Sequence, residues 1–147
     1  MNAFCINHIV RFSEIDAAGI VFYPRYIEMI SASIEDWFAG PLGISFKQMH
    51  LDGDAGIPTV DLHCRFFAPS RLGDDLTFEI KVSKIGRSSV DLEIDVRCDD
   101  EMRFETRLTF VHAKRHGSEW KSEPLPDDLR EKMSQFLTSK TQMEAGE

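Results

Sequence analysis

The sequence predicts an α+β fold in which one long apolar helix lies on a single antiparallel sheet. Two observations predict it: bulky apolar residues recur at steps of three and four between Ile27 and Phe38, and later segments alternate polar and apolar residues strictly. A third is size, because 147 residues with 42% hydrophobic content suit one domain with a buried core.

The elements follow in order. From Phe4 to Phe12 the residues Phe4, Ile6, His8, Val10 and Phe12 share one face, which predicts a strand with those side chains inward. The stretch "EIDAAGIVFYPRY", residues 14–26, then passes from an acid through three small residues into bulky apolar ones. After it Ile27, Ile30, Ile34 and Phe38, with Met29 and Trp37 beside them, give a helix. Pro24 suits its first position, and Gly40 with Pro41 ends it. Its aliphatic and aromatic bulk predicts enclosure on most sides. Residues 41–57 show no clear period and are either a short helix or a loop, with Gly53 and Gly56 marking turns.

Beyond Pro58 the chain is mostly strands: 59–67, 76–85 with Leu76, Phe78, Ile80 and Val82 on one face, and 89–98 with Val90, Leu92, Ile94, Val96 and Cys98 alternating. A fourth strand over 102–115 carries Phe104, Leu108 and Phe110 inward, and Trp120 closes a short fifth after Gly117. One-sided alternation of this kind belongs to an antiparallel sheet with one covered face. A surface helix starts at Asp127 and Asp128, with Leu129, Met133 and Phe136 or Leu137 as its apolar stripe. The domain is expected over residues 1–138, with 139–147 a polar, frayed tail.

Composition excludes several functions. A net charge of −8 argues against general binding to nucleic acid or anionic membranes, which needs surplus Lys and Arg. Cys5, Cys64 and Cys98 are odd in number and form no CxxC pair, so reduced thiols and a cytoplasmic setting are expected. The N-terminal residues lack a signal-peptide pattern, and no window approaches the roughly 20 apolar residues of a membrane span. No GxSxG elbow and no Gly-rich phosphate loop occurs. His50, His63 and His116 have no partner at metal-ligand spacing, and His8 and His112, on strands, are expected to be core or interface residues. Neither a metal nor a cofactor is expected.

The stretch "RFSEIDAAGIVFYPRY" followed by a buried helix resembles the entry motif of the 4-hydroxybenzoyl-CoA thioesterase family, part of the hot-dog superfamily. "RLGDDLTFEI" and "IPTV" match further segments, so the resemblance covers roughly residues 8–112. It implies a curved antiparallel sheet wrapping the central helix, subunits paired edge to edge, and acyl-CoA held at the subunit interface. The homo-oligomer expected from it is a dimer, or a tetramer built as a dimer of dimers.

The resemblance also implies roles. Asp16 falls on the catalytic carboxylate, acting either as a nucleophile that forms a mixed anhydride or as a base activating water. The backbone N–H of Tyr23 is the oxyanion donor at the positive end of the helix dipole. Ala17, Ala18 and Gly19 permit a tight turn and leave room for the thioester, with Ile20, Val21 and Phe22 anchoring that turn in the core. Glu14 is the reserve acid. Ser31, on a polar helix face with Glu28 and Glu35, stands where the 4-hydroxybenzoyl-specific members carry an acid, which weakens the case for that particular acyl group. Thr59 of "IPTV" joins it as a substrate-binding residue.

Lys84 and Arg87, in "SKIGRSS", match the segment that faces the CoA phosphates, with Ser88 and Ser89 adding hydroxyl contacts, Ser89 aligning with a serine of that segment, and with Arg65 and Arg71 as weaker alternatives. The expected function is therefore hydrolysis of an aryl- or short-to-medium-chain acyl-CoA. The rivals are a hydratase or dehydratase on the same fold, for which no histidine-bearing helix entry is present, and a non-catalytic acyl-CoA binder.

Overall fold

A computed structural model describes residues 2–138. Within them the chain forms β1 (Phe4–Ile9), α1 (Tyr23–Ala39), β2 (Ala55–Gly56), β3 (Thr59–Phe66), β4 (Asp75–Ile85), β5 (Ser89–Cys98), β6 (Glu101–Val111), β7 (Ala113–His116), β8 (Glu119–Ser122) and α2 (Asp127–Ser134). The main sheet has five strands in the order β1-β4-β5-β6-β3, with every pair antiparallel. The α+β class is as expected. A small second sheet, β2-β7-β8, was not foreseen.

One face of the main sheet is the core. Registers such as Ile80↔Ile94 and Ile94↔Thr106 line up the apolar members of β4, β5 and β6 on that face, and Leu76, Phe78, Val82, Leu92, Val96, Phe104, Leu108 and Phe110 are all buried there. Helix α1 lies against it. Tyr26 packs on Phe104 with ring centroids 4.4 Å apart, Phe38 meets Phe110 at 5.9 Å, and Trp37, with 0% exposure, meets Phe136 at 5.6 Å. Each such buried side chain contributes about 1.5–3 kcal/mol of transfer free energy, which makes this contact the main source of helix stability.

Several expectations need correction. Tyr23 is the first helical residue and Pro24 follows it, with Phe22 at the N-cap; both early positions lack an intrahelical acceptor, so proline is tolerated at either. The helix is not enclosed on most sides: Arg25, Glu28, Ser31, Ala32 and Glu35 are exposed, because one sheet covers only one stripe of a helix. Phe12 is not inward but 79% exposed, since a 3-10 turn at Phe12–Glu14 ends the alternation of β1. Of the three residues expected to anchor the following turn, Val21 is buried, Ile20 is half-buried and Phe22 is largely exposed.

The strand expected over 102–115 breaks at His112, whose N–H donates to Ser88 O at 2.8 Å while Nδ1 donates to Glu123 O at 3.2 Å. There the chain leaves the main sheet for the small one. After α2 it returns: Val82 N–H donates to Phe136 O at 2.9 Å and Thr138 N–H to Val82 O at 3.0 Å. This segment occupies the edge of β4 just beyond Ile80, where β1 begins with Phe4. The expected polar tail, 139–147, lies outside the described residues. At the other edge of the sheet β3 is exposed along almost its whole length.

Candidate active site

The stretch between β1 and α1 folds into a small hairpin. Ile15 bridges Val21, Asp16 N–H donates to Ile20 O at 2.9 Å, and Phe22 N–H donates to Glu14 O at 2.9 Å. Gly19, at φ +82°, closes the turn by donating its N–H to Asp16 O at 2.9 Å. This left-handed conformation favours glycine. A second tie runs sideways, from Val21 N–H to Ser70 O at 2.9 Å and from Ile20 to Arg71 as a bridge. Asp16 thus stands on one arm of the hairpin, and the other arm leads directly into Tyr23.

Both expected groups are available. The Asp16 side chain is exposed, its Oδ1 accepts the Ala18 N–H at 2.9 Å, and Oδ2 has no partner among the described residues. The Tyr23 N–H likewise meets no acceptor among them, whereas Arg25 N–H donates to Phe22 O at 2.8 Å and Pro24 has no N–H. A lone donor at a helix N-terminus carries the partial positive charge of the dipole and suits an oxygen that becomes negative.

Glu14, the reserve acid, is already engaged. Its two carboxylate oxygens each lie 2.9 Å from His8 Nε2, and Oε1 also accepts the Arg11 N–H at 2.7 Å. With 16% side-chain exposure it holds β1 to the 3-10 turn. Arg103 fixes the neighbouring segment: Nη1 donates to Pro69 O at 3.0 Å, Ser70 Oγ at 3.1 Å and Asp74 Oδ2 at 2.7 Å. The Arg71 backbone N–H and then the Arg103 guanidinium hold the Asp74 carboxyl below the ordinary carboxylate range.

A cavity of about 600 Å³ runs beside α1. Ile27, Ile30, Ser31 and Ile34 form its helix wall, and Thr59 and Leu62 of β3 with Leu108 and Phe110 of β6 form its sheet wall. Ser31 and Thr59, the two expected acyl-pocket residues, are therefore brought to one cavity. A smaller cavity of about 300 Å³ touches Tyr23 itself, with Tyr26, Phe66 and Phe67. Phe46, His50 and Trp120 also line the larger cavity and were not anticipated. They come from a π-helical turn, Gln48–Asp52, and its approach, and from β8, where no periodic pattern announces a wall. The one available signal was Gly56, a turn marker that proves to sit between His50 and Trp120.

Lys84, Arg87 and Ser89 are not brought to Asp16 within one chain. The hairpin is tied to Ser70 and Arg71, before β4 starts, while these three flank the turn after β4 ends. The 11 residues between give a contour of roughly 35 Å. Lys84 and Arg87 are exposed, and the Arg87 carbonyl accepts Arg130 Nη2 at 3.0 Å and Leu125 N–H at 2.9 Å. Cys5, Cys64 and Cys98 are free thiols. No helix among the described residues is long and apolar enough to cross a membrane.

A long helix held by a five-stranded antiparallel sheet, with an acid-bearing hairpin at the helix N-terminus, defines the class: a thioester hydrolase of the hot-dog fold. The chain belongs to the thioesterase-like superfamily, whose family model matches residues 10–133. It is 23% identical over 126 residues to a 1,4-dihydroxy-2-naphthoyl-CoA hydrolase of Synechocystis sp., covering 86% of this chain and 91% of that one. Among solved structures it resembles the dynemicin thioesterase, with TM-score 0.86 and 18% identity over 93% of this chain and 99% of the other. It also resembles the 4-hydroxybenzoyl-CoA thioesterase of a Pseudomonas species, with TM-score 0.82 and 22% identity, covering 90% and 99% respectively.

Proposed function

We propose that this chain hydrolyses the thioester of an aryl- or short-to-medium-chain acyl-CoA in the cytoplasm, using Asp16 and the Tyr23 backbone N–H. The observation that carries this reading is the unoccupied Tyr23 N–H at the start of α1, next to the hairpin arm that holds an exposed Asp16. The thioester carbonyl oxygen accepts that N–H and gains negative charge as the carbon is attacked. In one route an Asp16 oxygen attacks, CoA leaves as thiolate, and water cleaves the mixed anhydride. In the other, Asp16 takes a proton from water, the hydroxide adds to the carbon, and the C–S bond breaks. Rapid-quench mass spectrometry separates them, because only the first acylates Asp16.

Two of the named relatives act on aryl-CoA thioesters, which supports the aryl end of this range, while the dynemicin thioesterase binds a polyene. The cavity supports it too, being almost entirely apolar apart from Ser31, Thr59 and His50. We place the CoA phosphates against Lys84, Arg87 and Ser89 of another copy, since one chain holds them far from Asp16. The β3 edge is the surface proposed for pairing in a homodimer, two of which form a tetramer.

Asp16→Asn tests the core of this proposal. It keeps the side-chain volume and the bond from Ala18 N–H while removing the nucleophile or base. Turnover measured by free-thiol release is expected to fall by about 10²–10⁴ with the melting temperature nearly unchanged. Hydrolysis at the parent rate by a folded Asp16→Asn protein rules the assignment out.

A further inference from the structure

Two acids share one arm of the hairpin, and the fold treats them oppositely. Asp16 is exposed and its carboxylate meets only the Ala18 N–H among the described residues, so the backbone decides where it stands. Glu14 is half-buried and fully engaged. Its N–H donates to Arg11 O at 3.0 Å, its carbonyl accepts the Phe22 N–H at 2.9 Å, and Oε1 accepts the Arg11 N–H at 2.7 Å. Both carboxylate oxygens also lie 2.9 Å from His8 Nε2. A carboxylate can only accept, so the His8 ring carries its proton on Nε2.

These bonds link the core of the sheet to the start of α1. His8 pairs with the fully buried Leu76 in the β1–β4 ladder, and its ring reaches Glu14. The Glu14 carbonyl in turn holds Phe22, the N-cap residue, directly before the free Tyr23 N–H. Glu14 and Phe22 are therefore the base rung of the hairpin, from which one arm runs to Asp16 and the other into the helix. The remaining tie, Val21 N–H to Ser70 O, grips only the helix-side arm. Without the Glu14 side chain that tie still keeps the hairpin folded, but nothing fixes the base of the Asp16 arm to the sheet.

We propose that Glu14 and His8 are a positioning pair, whose bond sets the placement of the Asp16 carboxylate relative to the Tyr23 N–H. This rests on the thioesterase reading above. The chemical step needs the attacking or proton-accepting oxygen and the oxyanion donor at one carbonyl together, and it loses rate steeply when they drift apart. Binding of the acyl-CoA is spread over many other contacts. A loss of kcat at constant KM is the signature that follows.

The test measures hydrolysis by the full chain well below its melting temperature, with benzoyl-CoA or octanoyl-CoA, whichever the parent turns over faster. His8→Leu and Glu14→Leu are each expected to lower kcat by about 10-fold and to leave KM within about twofold. His8→Gln, which keeps an N–H for Glu14, is expected to recover most of kcat. The double Leu variant should be no slower than Glu14→Leu alone, because either change breaks the same bond. His8→Leu leaves the Arg11 N–H bonded to Glu14 and keeps the test open should Glu14→Leu fail to fold. Parent-like kcat in His8→Leu, or losses that multiply in the double variant, overturn the proposal.

Hydrogen exchange followed by NMR reads the pair without turnover. In His8→Leu the Phe22 and Asp16 amides are expected to exchange about 10-fold faster relative to the amides of β5, a ratio that cancels any loss of global stability. An unchanged ratio overturns the proposal as well. A changed ratio in a chain whose parent form cleaves neither thioester sinks the thioesterase reading and leaves the pair its role in placing the two groups.

Discussion

Gly19 shows how one residue shapes the site. Its φ of +82° is the whole requirement, since no atom lies within 4 Å of the place a Cβ would occupy. Gly19→Ala is expected to cost about 1–2 kcal/mol through backbone strain alone, seen as a lower denaturation midpoint with unchanged slope. Glu14 makes the opposite point. Sequence placed it beside Asp16 as a second acid, but both its oxygens face His8 Nε2, a contact between residues six apart that no spacing rule announces. Glu14→Gln is expected to lower stability by about 1.5 kcal/mol in chemical denaturation, because a carboxylate accepting several hydrogen bonds is lost. Asp16 and Tyr23 were legible because their placement depends on a short hairpin and a helix start, both local. His50 was not, because its neighbours at Gly56 and Trp120 arrive through loops and the small sheet.

At the scale of elements, the hairpin that carries Asp16 is only as firm as the segment it leans on. Arg103, at the start of β6, clasps Pro69, Ser70 and Asp74, and Ser70 in turn receives the Val21 N–H. The Asp74 carboxyl is lowered chiefly by the Arg71 N–H and next by Arg103. A carboxyl lowered on folding means that the unfolded chain binds more protons near pH 4. The associated stability is therefore fully present above the ordinary carboxylate value and disappears as pH falls through the lower folded value. Asp74→Asn should flatten this acid limb: melting temperatures of the two proteins converge below about pH 3 and separate above about pH 5. The strands themselves were legible because a covered sheet imposes a period of two. The break at His112 was not, since the alternation continues across it while the hydrogen bonds turn to Ser88 and Glu123.

For the whole molecule the surface proposed for pairing is the free edge at β3. Val60 is 61% exposed there, next to the irregular register between Thr59 and Asp61, and Leu62 and Phe66 are exposed beside it. An apolar edge with unpaired backbone groups invites a second strand. Under the proposed pairing at β3, Val60→Asp is expected to shift the sedimentation coefficient from that of a dimer toward a monomer and to lower acyl-CoA hydrolysis with it, because that proposal draws the CoA-facing residues from another copy. A variant that stays dimeric at micromolar concentration places the pairing surface elsewhere.

The sequence by itself determined the period of every long element, the helix start that exposes the Tyr23 amide, and the turn that follows Asp16. Each of these is set by residues within a few positions of one another, through sterics and apolar spacing. Only the tertiary structure decided that Glu14 belongs to His8, that His50 lines a cavity beside Gly56 and Trp120, and that Lys84, Arg87 and Ser89 stand a full strand away from Asp16. Those outcomes depend on how strands are ordered in the sheet and where loops land. Contacts between distant segments set them, and no local pattern encodes such contacts.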